Sequence, residues 1–145
     1  MQIATTRFGR VEVLETDVLQ FTGGLIGMEE CRRWVLLADA ENPSLGWLQS
    51  VDRGELALPV VSPRRFVPDY QVRVSSRDVA PLGLEDGKRS QVLVVVNKSA
   101  EGMTLNLKAP IVICLESQSG RQIIAKDDHA VQFVLGATVP FRRSA

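Results

Sequence analysis

The sequence has few of the residues that usually carry chemistry. Its 145 residues include two cysteines and one histidine. Cys31 and Cys114 form no CxxC pair, and each lies in an apolar context. We therefore expect buried free thiols, as in a reducing cytoplasm, rather than a disulfide.

The chain also lacks net charge and long apolar runs. Seventeen basic and seventeen acidic residues cancel, so no overall field attracts phosphate backbones or anionic lipid. No apolar run is long enough to cross a bilayer. The segment Met1–Arg7 has neither a basic opening before an apolar run nor a small-residue cleavage site, so we expect no export signal. These features predict a soluble cytoplasmic protein that binds neither nucleic acid nor membrane directly.

The apolar runs that are present are short, rich in Val, Ile and Leu, and separated by Gly, Pro, Asn and Asp. That pattern is typical of strands joined by tight turns. We predict an all-β, single-domain antiparallel β-barrel with one or two short helices, with a sandwich as the alternative. The domain spans residues 1–145, of which 129–145 form a weakly patterned C-terminal tail.

The expected elements follow from local pattern. Predicted strands cover residues 2–6, 10–14, 18–21, 33–38, 46–51, 56–61, 70–74, 91–97, 103–107, 111–116 and 121–125. The nearly continuous apolar run 91–97 indicates a central strand covered on both faces. Residues 23–30 are expected to form a glycine-rich loop leading into one short helical turn, and residues 76–83 a short helix with a Ser cap and a Gly stop. Pro110 should lie at a strand start, a bulge or an edge.

The sequence patterns offer only weak support for catalytic groups. His129 follows Asp127 and Asp128, but adjacent strand positions point to opposite faces and no second ligand group has metal-site spacing. A surface-loop histidine is the favoured interpretation. The glycines of residues 23–27 form neither GxGxxG nor a P-loop, and Glu29-Glu30 is typical of solvated acids. We assign no catalytic residue, no metal and no cofactor.

The segment 63–70, Pro-Arg-Arg-Phe-Val-Pro-Asp-Tyr, is the strongest candidate for contact with another protein. Aromatic and Arg side chains anchor interfaces, and two prolines stiffen the loop. Phe66 and Tyr70 could instead cap one end of the barrel. Trp34 and Trp47 are equally open to a core or a contact interpretation. The segment therefore favours binding over catalysis.

Three segments carry a resemblance to a known family: 46–51 (GWLQSV), 66–70 (FVPDY) and 103–113 (MTLNLKAPIVI). Their order and spacing resemble the FliW family of bacterial flagellar assembly factors, from the opening hairpin through about Ile124. The expected helix 76–83, followed by Leu-Glu-Asp, falls where the family has an acidic helix. Residues 24–29 (GLIGME) depart from the family loop, with Ile26 and Met28 replacing Pro and Phe, so we expect a more flexible loop here.

The resemblance implies a cytoplasmic partner-switching protein without catalytic activity. It would bind and antagonise the RNA-binding translational regulator CsrA and, alternatively, flagellin, so that flagellin translation follows its cytoplasmic level. The partner contacts it implies, with three residues shaping a strand junction, are Phe66, Pro68, Asp69, Tyr70, Asn106, Ala109 and Pro110. Asn106 could instead satisfy backbone groups at the break before Pro110.

Three different functions stay open at this point. A flagellin chaperone without CsrA regulation would keep only one partner. A small-ligand-binding β-barrel would need a large internal cavity with convergent polar groups. Single-strand nucleic-acid binding in the manner of an OB-fold needs aromatic residues interleaved with basic ones, which only Arg64, Arg65 and Phe66 approach.

Overall fold

The computed structural model describes residues 1–73, 90–100 and 102–135 of the protein. That part of the chain is nearly all β. Its strands are β1 Gln2–Thr5, β2 Gly9–Glu12, β3 Leu19–Gln20, β4 Arg33–Ala38, β5 Gly46–Ser50, β6 Ala57–Val61, β7 Ser90–Ser99, β8 Gly102–Leu105, β9 Ile111–Cys114, β10 Ser119–Gln122 and β11 Phe133–Val134. Two single-turn 3-10 helices cover Glu15–Asp17 and Pro63–Arg65. The all-β prediction is confirmed.

Seven strands form a closed barrel in the order β3, β4, β5, β6, β7, β9, β10. Six of the neighbouring pairs are antiparallel. The seventh, between β10 and β3, is parallel and rests on the pairing of Ser119 with Gln20. Beside it, the Gln20 N–H donates to the Gln118 carbonyl at 2.8 Å. The predicted barrel therefore exists, and a short parallel seam closes it.

Apolar side chains fill the barrel interior. Because side chains alternate along a strand, each barrel strand sends every second residue inward. The fully buried set at the centre includes Phe21, Trp34, Leu48, Ile111 and Ile113. The Trp34 indole N–H donates to the Cys31 carbonyl at 2.9 Å, which satisfies its one polar group. Trp34 is therefore a core residue, which decides between the two interpretations of it.

Strand β7 is the branch point of the sheet. Its first half pairs with β9 and its second half with β8, which carries β11 on its outer edge. Leu93 and Val95 pack on the barrel core, whereas Val94 and Val96 belong to a second core cluster outside the barrel. The prediction of a central strand covered on both faces is confirmed.

The opening hairpin forms from β1 and β2 as predicted, and it stands outside the ring. Gly9 adopts a φ of 70°, a conformation that favours glycine. Ile3 and Val13 pack against Val35 on the outer face of the barrel. The Thr6 N–H donates to the Gly54 carbonyl at 3.0 Å, which ties the hairpin to the β5–β6 turn.

Residues 70–73 do not form the strand that their alternation predicts, and Val74 lies outside the described residues. The backbone groups of Arg73 bond elsewhere, because its N–H donates to the Asp127 carboxylate and its carbonyl accepts from the Lys126 N–H. The Asp127 side chain therefore accepts the hydrogen bond that a neighbouring strand would have accepted, and no strand pairing forms here.

The prediction of a helical turn in residues 23–30 is also wrong. The loop instead folds back on itself through a bridge between Leu25 and Met28, with positive φ at Gly24 and Gly27. A Cβ on Gly24 would lie 2.5 Å from the Glu29 backbone, so the close approach excludes a side chain there. The expected helix 76–83 lies outside the described residues.

Cys31 and Cys114 are buried free thiols, as predicted. Pro110 immediately precedes β9, at a strand start as expected. Among the residues that the structure describes, no helix has the length and hydropathy needed to cross a membrane.

Candidate functional site

The predicted contact segment 63–70 is a compact, locally bonded turn. Pro63 occupies the first position of the 3-10 helix, where its missing N–H costs nothing. Its carbonyl accepts from the N–H of Phe66 at 3.1 Å and of Val67 at 2.8 Å. The Tyr70 N–H then donates to the Val67 carbonyl at 2.9 Å. These bonds hold the segment in one shape.

Tyr70 anchors this segment to the barrel. Its side chain is 4% exposed, and its hydroxyl donates to the Leu107 carbonyl at 2.8 Å. Its ring packs on His129 with centroids 4.6 Å apart. Burial, together with the charge of Asp127, raises the pKa of Tyr70 to about 12. The structure thus makes Tyr70 a buried structural residue of the second core cluster, which lies outside the barrel.

Tyr70 is the only tyrosine of the chain, so its titration can be read directly from tyrosinate absorbance. We expect a pKa near 12 in the folded protein and about 10 in denaturant. Because the folded pKa is raised, stability is unaffected below about pH 10 and falls as the pH rises from about 10 to about 12. The Tyr70→Phe variant should lose this dependence and about 1 kcal/mol of unfolding free energy. A folded-state midpoint near 10 would contradict the buried hydroxyl.

Asn106 organises the junction between β8 and β9. Its side-chain oxygen accepts from the N–H groups of Lys108 and Ala109, both at 3.2 Å. Its own N–H donates to the Val95 carbonyl at 3.1 Å. These are the bonds of an Asx turn, which gives Asn106 the structural role offered as its alternative.

The structure brings the two predicted groups together in space. The bond from Tyr70 to Leu107 joins the 63–70 segment to the Asn106–Pro110 junction. Within these groups Pro68 and Asp69 are exposed, and Phe66 is half-buried against the second core cluster. The buried members are Tyr70, Ala109 and Pro110. The surface open to a partner is therefore Phe66, Pro68 and Asp69, here named the 66–69 surface.

A polar strap beside this surface was missed by the sequence reasoning. Residues 126–129 run along residues 71–73, with the Arg73 Nε 3.1 Å from an Asp127 carboxylate oxygen. Lys108 Nζ donates to the Asp127 carbonyl at 2.7 Å, and His129 Nε2 lies 2.6 Å from the Gln71 carbonyl. The Arg73 backbone N–H, first among several donors, holds the pKa of Asp127 below its usual value. No local pattern could reveal this strap, because residues 71–73 and residues 126–129 lie more than fifty positions apart in the sequence.

The histidine of this region is held by structural contacts. His129 packs on Tyr70 and bonds to a backbone carbonyl, with no nucleophile among these partners. In residues 1–73, 90–100 and 102–135 no group of three or more His, Cys, Asp or Glu side chains could hold a metal ion.

Comparison with known proteins agrees with this fold. The sequence model of the FliW protein family matches residues 2–134. The flagellar assembly factor FliW of Bdellovibrio bacteriovorus is 38% identical over 131 residues, which cover 89% of this chain and 75% of that protein. The FliW of Caldanaerobacter subterraneus subsp. tengcongensis is 37% identical over 131 residues, covering 88% and 87%. The crystal structure of the flagellar assembly factor FliW matches with a TM-score of 0.84 and 27% identity, covering 93% of this chain and 96% of that one. The chain belongs to the FliW family of flagellar assembly factors.

Proposed function

We propose that this protein works in the cytoplasm by binding a CsrA-type translational regulator and, in competition with it, flagellin. Free protein restrains the regulator and so relieves repression of flagellin translation. Accumulating flagellin occupies the protein and releases the regulator, which represses again. Two binding equilibria that share one pool of protein are enough for this loop, and no catalytic step is needed. Membership of the family of flagellar assembly factors supports the assembly role.

The observation that carries the proposal is the 66–69 surface on its buried anchor. Phe66 offers apolar area, and the exposed Asp69 offers a charge that suits a basic partner. The turn beneath them is fixed by the bond of Tyr70 to Leu107. A preformed loop loses little conformational entropy when a partner binds, which favours affinity.

Reversing the charge of this surface should weaken binding to a basic partner. We expect the Asp69→Lys variant to bind the CsrA-type regulator about tenfold more weakly, mainly through slower association. Asp69 is exposed, so circular dichroism should stay unchanged. The matched control is Glu12→Lys, an exposed acid of similar charge on β2. Equal affinity of the Asp69→Lys variant and the wild type would remove Asp69 from the interface.

The partner switch itself is tested by isothermal titration of the protein with CsrA and with flagellin from the same organism. Saturable binding of both, with each displacing the other, is the expected result. Binding of flagellin alone would replace the proposal by a flagellin chaperone without CsrA regulation. Binding of neither would overturn both functions.

A ligand-binding barrel and a nucleic-acid-binding protein gain little support from the structure. The barrel interior is filled by side chains such as Phe21, Trp34 and Leu48, where a small ligand would need polar groups and space. For nucleic acid, Arg64 already donates its Nε to the Tyr70 carbonyl at 2.9 Å. A salt-dependent shift of labelled RNA without CsrA would be needed to support direct RNA binding.

A further inference from the structure

A groove of about 450 Å³ opens where β6 and β7 diverge. It lies apart from the 66–69 surface, and none of that surface's residues lines it. Pro59 of β6 forms one wall, and Val96 and Lys98 of β7, with Met103 of β8, form the other. Trp47 of β5 lies beside Pro59, its cross-strand partner. The groove is thus a fork between the barrel sheet and the β7–β8 sheet.

Within residues 1–73, 90–100 and 102–135, no strand pairs with the β6-side edge of β7 beyond Val95, and this edge faces the groove. The Val95 carbonyl accepts from Asn106 on the β8 side. Because backbone groups alternate along a strand, those of Val96 and Lys98 face the β6 side. The pairing of β6 with β7 ends at Val60 and Val95, and the next β6 residue, Pro59, has no N–H to donate. The Lys98 N–H and carbonyl therefore face the groove beyond the end of the ladder.

Trp47 gives the groove a fixed aromatic anchor. Its indole N–H donates to an Asp39 carboxylate oxygen at 3.0 Å, and this bond lowers the pKa of Asp39. The Arg7 guanidinium carbon lies 4.2 Å from the centroid of the indole, and Phe8 packs edge-on at 5.9 Å. Trp47 remains half-buried, so part of it stays open. A held aromatic side chain in a groove is the arrangement of an interface hot spot.

The charge on the open edge indicates which strand would fit. Lys98 is exposed and makes no ion pair with another residue of the described chain. A lysine on an edge repels basic strands and discourages self-pairing, whereas an acid directly opposite forms a favourable cross-strand pair. The edge therefore selects an incoming strand with an acidic residue at that register.

We propose that this fork is a second docking site, at which an extended acidic and apolar peptide segment of a partner protein adds as a strand to the Val96–Lys98 edge. Its backbone bonds to Lys98, its acidic side chain faces the Lys98 ammonium group, and an apolar neighbour packs on Trp47 and Met103. Main-chain bonds supply affinity and the alternate side chains supply specificity. The site does not depend on the partner exchange proposed above, since the groove shares no lining residue with the 66–69 surface.

The probe is a seven-residue peptide with blocked termini, of sequence Thr-Val-Thr-Glu-Thr-Val-Thr. It is titrated into the full chain. We expect saturable binding with a change in tryptophan emission that the Trp47→Phe variant loses, since Trp34 is buried in the barrel. The Lys98→Glu variant should bind the peptide about fivefold more weakly and should prefer the same peptide with a central lysine. Lys126→Glu, a change at an exposed lysine outside the groove, is the matched control.

A second peptide tests the strand edge itself. N-methylation at the glutamate and its two neighbours removes backbone donors without changing side chains, and we expect it to abolish binding. The proposal is overturned if the methylated peptide binds as tightly as the unmethylated one. It is overturned equally if the glutamate peptide binds the wild type and the Lys98→Glu variant with the same affinity. A dimer in sedimentation that Lys98→Glu dissociates would also overturn it, because the occupant would then be a second copy of the chain. None of these results depends on CsrA or flagellin.

Discussion

A Trp34→Ala variant is expected to lose about 3–5 kcal/mol of unfolding free energy, a large share of what a domain of this size possesses. Trp34 is fully buried and lies among side chains from several barrel strands, including Phe21, Leu48 and Ile113. Truncation removes its apolar area, opens a cavity and leaves the Cys31 carbonyl without its 2.9 Å donor. A closed ring of strands collapses poorly around such a void, because each strand is bonded on both sides.

Urea denaturation followed by circular dichroism measures this loss without relying on the deleted fluorophore. Trp47→Ala is the matched control, since Trp47 is half-buried on the outer face and should cost clearly less. A Trp34→Ala protein within about 1 kcal/mol of the wild type would show that the barrel core is not organised around this residue.

The second large effect is expected at Gln49. Its fully buried amide nitrogen lies 3.0 Å from the Ser50 carbonyl and 3.1 Å from each of the Gly54 and Leu56 carbonyls, so its two N–H groups serve three acceptors and one N–H is shared. Gln49→Leu keeps the volume but removes all three bonds, and we expect a loss of about 2 kcal/mol. The loss of unfolding free energy stays below the sum of three hydrogen bonds, because the Gly54 and Leu56 carbonyls each still accept from a backbone N–H. The Gln49 side-chain oxygen has no hydrogen-bond partner among the described residues, and removing it offsets part of the cost.

Hydrogen exchange locates the consequence of this change. The Gly54 carbonyl that Gln49 holds also accepts from Thr6, so the opening hairpin should loosen with the β5–β6 turn. We expect faster exchange at the Thr6 amide in Gln49→Leu. Gln91→Leu, a change at an exposed glutamine of β7, should leave that amide protected. Unchanged exchange at Thr6 in both variants would separate Gln49 from the hairpin.

Local patterns predicted most of the strands because short hairpin connections make their partners neighbours in sequence. The β4–β5–β6 meander is the clearest case, with turns at residues 42–44 and 52–55. The same alternation misled at Tyr70–Arg73, where the Asp127 side chain supplies the hydrogen bond that a strand would have made. β11 was missed because its two residues depend on β8 rather than on a pattern of their own.

The candidate site could be predicted only as a set of segments. Proline stiffening and the Asn106 turn are local, and sequence reasoning reached both. Whether Tyr70 is buried or exposed depends on Leu107 and His129, which come from distant parts of the chain. The fork beside Trp47 depends on where the pairing of β6 with β7 ends. That position is set by how the two strands align, so neither strand's sequence predicts it alone.

The seam between β3 and β10 sets a condition on how the protein is made. Gln20 leaves the ribosome early, but its partner Ser119 is synthesised about a hundred residues later. At roughly 5–20 residues per second the nascent chain stays an open sheet for several seconds. Its strand β3 must wait with an exposed edge, and the barrel can close only when β10 has emerged. Any activity that requires the closed ring therefore has to wait for β10, and a product truncated before Ser119 would lack the ring.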